Sequence, residues 1–210
     1  MIIPTILEKD LGEITNKINL LKNDAVLIQL DVVENGFVDG ETYFDIDYLD
    51  NFESYCDFEI DLMVFDPQRF VEKKYEKVKK VCSHIKGNYI DQFLDKCNKN
   101  EYLSGISIGP HDEVKELLPY IETVDYVEFI NVEPGGQGRG FDANSLEKIK
   151  TFRFSFPDIP IQVDGGVNET TLRDLLNLGI RDLVIGSAIF KAENPLDQFK
   201  KFQKELRDYA

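Results

Sequence analysis

At 210 residues and 24.2 kDa the chain has room for one sizeable hydrophobic core and no need of a second domain. Its formal charge of -15 and pI near 4.6 exclude the cation-rich surface that non-specific nucleic-acid binding requires, and no stretch approaches the roughly 18 apolar residues of a membrane span. The start, "MIIPTILEKDLGEI", lacks the basic and long apolar segments of a secretion signal, so a cytoplasmic protein is expected, and Cys56, Cys82 and Cys97, which share no CxxC spacing, read as reduced thiols rather than as a disulfide framework or a cysteine zinc site.

Eight short apolar runs read as strands: "IIPT" (2–5), "AVLIQLD" (25–31), "FEIDLMV" (58–64), "KVCSHI" (80–85), "LSGISIG" (103–109), "VDYVEFIN" (124–131), "IQVD" (161–164) and "DLVIG" (182–186). Between them lie helical patterns such as 8–22, 66–78, 168–179 and 194–209, with Asp, Asn or Pro at starts and Gly after one end. Eight strand–helix units in this length predict one α/β domain over 1–210, a closed parallel (β/α)8 TIM barrel. An open doubly wound sheet is the alternative, but no GxGxxG follows the first strand to recommend it. The least regular part, 32–57, is acidic and aromatic and is expected to hold one short helix. With Phe37, Tyr43, Phe44 and Tyr48 it reads as a lid, as a contact in a homo-oligomer, or as cover for the barrel rim.

Alternate strand residues point into a barrel, and reactive groups gather at the strands' carboxyl ends. In the second strand this parity sends Val26, Ile28 and Leu30 toward helices and Leu27, Gln29 and Asp31 toward the axis. In the third it leaves Asp61 and Met63 inside, and the seventh ends on an inward Asp164. An isolated strand-end Asp most often caps a loop or helix. Three on inward parity need a cation or a shared proton to offset repulsion and desolvation. Glu59 and Glu128 share that parity but receive no role.

Glycine-rich loops follow the last three strands: "VEPGGQGRGF" (132–141), "DGG" (164–166) and "IGSAIF" (185–190). Such loops commonly hold a phosphate through backbone N–H groups, a mode suited to a protein with net negative charge. Arg139 in the first loop is either a phosphate clamp or a solvated side chain.

With "IPTIL", "IQLDVVENGFV", "IDLMVFDP", "CSHI", "GISIGP", "VEPGGQGRGF" and above all "IQVDGGVNETTLRDLLNLGIRDLVIGSAIF", the sequence resembles the ribulose-phosphate 3-epimerase family along nearly its whole length. The resemblance implies interconversion of ribulose 5-phosphate and xylulose 5-phosphate, with Asp31 and Asp164 exchanging the C3 proton from opposite faces and a divalent metal between them. Thr5 stands where the family has a substrate-contacting serine, and phosphate contacts fall on Gly135, Gly138, Gly165, Gly166, Gly186 and Ser187.

The departures are at the metal: Gln29 and Asp61 replace two histidines, "VVENG" replaces "VMDG", and Gly109 replaces an asparagine. The expected ligand set Gln29, Asp31, Asp61 and Asp164 is all oxygen, which favours Mg²⁺, Mn²⁺ or Ca²⁺ over Zn²⁺. Another phosphorylated sugar as substrate, and a non-catalytic sugar-phosphate binder with a decayed metal site, are the alternatives. Of the two histidines, His84 ends the fourth strand, either facing the pocket or held structurally, and His111 is expected to be exposed.

Overall fold

The structure is a computed structural model that describes residues 1–43, 45–52, 56–134 and 143–209. All eight strands form: β1 (Ile2–Ile6), β2 (Leu27–Val33), β3 (Asp57–Met63), β4 (Val78–His84), β5 (Leu103–Ile108), β6 (Tyr126–Ile130), β7 (Ile161–Asp164) and β8 (Asp182–Ile185). They pair in parallel in chain order, and β8 returns to β1, so the sheet closes into a barrel and the open-sheet alternative falls. Strands buried on both faces need apolar residues on both, which the near-continuous runs supply.

The helices are α1 (Leu11–Leu21), α2 (Ile90–Lys99), α3 (Ala143–Ser155), α4 (Leu172–Asn177), α5 (Ser187–Phe190) and α6 (Pro195–Tyr209). Asp10 caps α1 by accepting from the Glu13 N–H. Helix α2 lays Ile90, Phe93, Leu94 and Cys97 on the barrel, an i, i+3, i+4, i+7 stripe. In three crossovers the described residues hold a 3-10 segment and no α-helix, at 47–51, 67–71 and 114–117.

The predicted helix over 66–78 is therefore corrected to a 3-10 turn at Pro67–Val71. Beyond it, "EKKYEK" has one apolar residue and no stripe to bury. Its backbone is held by side chains instead: the Tyr75 N–H donates to the Tyr102 hydroxyl, which donates to the Lys73 carbonyl, while Asn100 donates to the Val71 carbonyl. The helix expected from 168 begins at Leu172, because the Asn168 side chain accepts from the Thr170 and Thr171 N–H groups in a turn. Val26 does not face a helix; it precedes β2 and is 67% exposed.

Interior parity is as expected for β2, β3 and β7, and it stacks the barrel in layers. Ile3, Leu27 and Val184 make a small apolar plug at the amino-terminal end. Above them the interior is polar, and Gln29, Glu59, Asp61, Ser107, Glu128 and Gln162 are all fully buried. In the 32–57 connection, residues 47–51 form the expected short helix. Phe37 packs edge-on against Phe65 and His84, Tyr43 meets Tyr48 edge-on, and both tyrosines lie partly buried on the core. Phe44 lies outside the described residues. Among the described residues no helix is long and apolar enough to cross a membrane.

Candidate active site

Asp31, Asp61 and Asp164 converge. Asp31 and Asp61 are neighbours in the β2–β3 register, and Asp164 comes from β7 across the barrel. One carboxylate oxygen from each lies within 4.8 Å of the others. Asp31 is the best supported: its Oδ1 accepts from the Thr5 hydroxyl at 2.6 Å and from Gln29 Nε2 at 2.9 Å. Burial pushes the Asp31 carboxyl up to about 6, with those two hydrogen bonds holding it back. Burial, then the nearby Asp31, raises Asp164 well above the carboxylate range. Asp61 is fully buried with neither oxygen in a well-formed hydrogen bond, and burial, then Asp31, raises it well above its ordinary value, opposed only by the Leu62 backbone N–H.

Gln29 is oriented as a donor toward this cluster, with Nε2 also 3.4 Å from Asp164 Oδ2. Which end of a buried amide points where follows from its fixed partners. Lys80 can only donate, and its ammonium meets Gln162 Oε1. Gln162 Nε2 must then face the acceptors Glu128 Oε2 (2.5 Å), Glu59 Oε1 (2.8 Å) and Gln29 Oε1 (3.2 Å). With its oxygen engaged there, Gln29 turns its NH₂ to the aspartates. In this orientation its NH₂ meets Asp31 and its oxygen meets Gln162.

Beneath the aspartates, Lys80 pairs with fully buried Glu59 at 3.3 Å and lies 3.9 Å from the centroid of the Tyr126 ring. The Tyr126 hydroxyl donates to Glu59 Oε1 at 2.6 Å. Room for that ring exists because β5 carries Gly105 beside it; a Cβ there would sit 2.4 Å from a ring carbon. Lys80, Cys82 and Gln162 were not singled out by sequence reasoning. The period-two parity of "KVCSH" and "IQVD" is the signal that places them inside.

The carboxyl end of β2 is held by Thr42, whose hydroxyl donates to the Asp31 carbonyl at 2.7 Å and accepts from the Val33 N–H at 2.9 Å. No local pattern points to Thr42. His84 is buried, with Nε2 3.3 Å from Asp112 Oδ2, and Asp112 accepts from the Gly109 N–H at 2.7 Å. Burial lowers its basicity, and its contacts are those of a residue anchoring the loop after β5. His111 is exposed and pairs with Glu133.

Gly165 and Gly166 (φ +88° and +69°) follow the carboxyl end of β7, and Gly186 and Ser187, the N-cap and first residue of α5, follow the adjacent β8. A Cβ on Gly165 would lie 2.6 Å from Val132 Cγ2, so both backbone conformation and close approach require glycine. Gly135, Gly138 and Arg139 lie outside the described residues.

Comparison with known proteins agrees with this geometry. The sequence profile of the ribulose-phosphate 3-epimerase family matches residues 1–190, and the chain belongs to that family. Ribulose-phosphate 3-epimerase of Schizosaccharomyces pombe is 26% identical, over 92% of this chain and 88% of the relative. The Aquifex aeolicus protein of the same name is 25% identical over 97% and 95%. Among solved structures, 3-hexulose-6-phosphate synthase from Salmonella typhimurium superposes with a TM-score of 0.76 over 100% of this chain and 99% of the other, at 16% identity. KGPDC from Streptococcus mutans gives 0.70 over 99% and 97%, at 11% identity. At these identities the likeness concerns the fold alone.

Proposed function

From membership of the ribulose-phosphate 3-epimerase family, we propose that this chain interconverts ribulose 5-phosphate and xylulose 5-phosphate, with Asp31 and Asp164 moving the C3 proton. The observation that carries the reading is the convergence of Asp31, Asp61 and Asp164 at the barrel mouth in a family member matched over residues 1–190. Inversion at carbon needs a base on one face and an acid on the other, and β2 and β7 deliver the two carboxyl groups from different sides. Burial raises both carboxyl groups, Asp31 to about 6 and Asp164 well above the ordinary carboxylate range, which suits groups that exchange a proton. Asp31 removes the proton from one epimer and Asp164 delivers one to the opposite face; the reverse reaction exchanges the roles.

Thr5 and Gln29 both donate to Oδ1 of Asp31, so Oδ2 is the oxygen we assign to the substrate proton or to a cation. Asp31, Asp61 and Asp164 suit a hard divalent ion, since Asp61 brings two buried oxygens without well-formed hydrogen bonds. Such an ion, when bound, acts as a Lewis acid on the sugar oxygens next to the reacting carbon. Gly165, Gly166, Gly186 and Ser187 are assigned to the phosphate, through backbone N–H groups and the Ser187 hydroxyl. Gly135 and Gly138 remain assigned to the same group from the sequence pattern.

The test is proton NMR of ribulose 5-phosphate in D₂O with metal-free protein, then with Mg²⁺, Mn²⁺ and Zn²⁺ in turn. Divalent-ion-dependent deuterium entry at C3 with xylulose 5-phosphate appearing is the expected result, lost in Asp31→Asn and in Asp164→Asn. No exchange under any ion overturns the reading.

A further inference from the structure

We propose that Asp61, Cys82 and Glu128 form a second divalent-cation site, deeper in the barrel than the three aspartates, and that it takes a thiophilic ion of the Zn²⁺ class. One ligand atom from each of the three lies within 4.8 Å of the others, and all three residues are fully buried. Cys82 is next to Asp61 in the β3–β4 register, and Glu128 reaches the same place from β6.

Independent of the cluster's composition, the atoms around it lack protein partners. Both Asp61 oxygens are without a well-formed hydrogen bond, and so is Oε1 of Glu128, whose other oxygen is held by Gln162. Ser107, fully buried and in register between His84 and Glu128, also has an unpartnered hydroxyl. Its strand neighbours Ile106 and Ile108 belong to the core outside the barrel, so Ser107 turns to the barrel interior beside Glu128. Buried polar atoms are almost always satisfied, and this many orphans in one buried place call for a ligand.

Charge points the same way. The described interior gathers the carboxyl groups of Asp31, Glu59, Asp61, Glu128 and Asp164, and Lys80 is the ammonium among them, committed to Glu59 and Gln162. Divalent ions would correct that imbalance. The donors separate the two sites by chemistry: oxygen alone above, thiolate with carboxylates below. Asp61 belongs to both clusters, so its carboxylate would be shared between the two sites.

The test uses the intact protein, stripped with chelator and titrated with Co²⁺. Wild type is expected to develop a thiolate-to-cobalt charge-transfer band in the near ultraviolet. Cys82→Ser should abolish the band, and Glu128→Gln should weaken the affinity it reports at least about tenfold, the factor that 1.4 kcal/mol represents. Asp31→Asn should leave the band in place, as should Cys56→Ala/Cys97→Ala, whose thiols belong to the outer core. X-ray absorption of Zn²⁺-loaded wild type needs no variant and should show one sulfur ligand at about 2.3 Å. A folded protein with no band and no sulfur scatterer, or a band that survives Cys82→Ser, overturns the proposal. Neither readout depends on turnover. Missing exchange at C3 with the band present removes the epimerase reading and keeps this site, and the converse removes only this site.

Discussion

Replacing Lys80 by methionine tests whether the charged floor of the barrel is a structural requirement. The Lys80 side chain is 11% exposed and its partner Glu59 is fully buried, 3.3 Å away. Removing one member of such a pair leaves an uncompensated buried charge, which typically costs about 3–5 kcal/mol. Methionine keeps most of the aliphatic stem and removes the ammonium, so the loss combines the ion pair with Glu59 and the ammonium's contact with the Tyr126 ring. For a chain of this size each kcal/mol lowers Tm by about 2–4 °C, so a drop on the order of 10 °C is expected by circular dichroism. Adding Glu59→Gln removes the stranded carboxylate and should recover most of the loss, giving a coupling of at least roughly 2 kcal/mol in a double-mutant cycle from urea unfolding. The variant should also react more slowly. Without the ammonium, nothing fixes Gln162 Oε1, and Gln29 loses its reason to present NH₂ to Asp31. A hydrogen bond to a carboxylate is worth about 1.5–3 kcal/mol, so exchange should slow by roughly 10- to 100-fold. A Lys80→Met protein within about 1 kcal/mol of wild type, or an additive cycle, refutes the reasoning.

Three further outcomes are expected. Metal-free protein should lose stability as pH rises from 4 to 8. The Asp31 carboxyl is raised from 3.8 to about 6, so its contribution is complete below pH 3.8 and disappears as pH rises through 6, about 3 kcal/mol in all; Asp61, Glu128 and Asp164 act with the same sign. Urea midpoints in EDTA that increase from pH 5 to pH 8 would contradict this. Gly105→Ala drives a methyl to 2.4 Å from a Tyr126 ring carbon, and since Glu59 and Lys80 hold that ring it should cost about 1–3 kcal/mol, read as a lower Tm. Gly165→Ala should raise KM for the phosphorylated sugar several-fold through strain at φ +88° and contact with Val132, an expectation defeated by unchanged KM in a folded variant.

Residues that obey a two-residue period were legible before any coordinates. Gln29, Asp31, Asp61 and Asp164 point inward because their alternation with Ile28, Leu30, Ile60 and Val163 leaves only one face for the apolar side chains. Glu59 and Glu128 followed the same parity, and the structure adds what each one meets. The failure at 66–78 also has a local cause: lysine and glutamate favour helix, but without an apolar stripe the backbone went to Tyr102 and Asn100, some 27 to 29 residues away. Such partners, like Lys80 with Gln162 across 82 residues, exist only once the barrel closes.

Barrel closure also explains why Gln29 presents its NH₂ to the aspartates. An imidazole at that position could give a metal a nitrogen, whereas an amide must divide its two ends between neighbours. Gln162 claims the oxygen because Lys80 claims the oxygen of Gln162, and the sequence of constraints ends on Asp31. The charge on Lys80 is thus transmitted as orientation, one amide at a time, to the carboxyl group proposed as the base. Gln29→Glu would put an acceptor at both ends of this chain, against Gln162 Nε2 on one side and Asp31 on the other. Only the first contact survives, so Asp31 would lose a donor and gain a negative neighbour. Both changes raise its proton affinity further. The expected result is an alkaline shift in the pH profile of proton exchange, with Gln29→Met, which removes the donor without adding charge, shifting it less. If the two variants shift the profile equally, the orientation of the amide is not what sets Asp31.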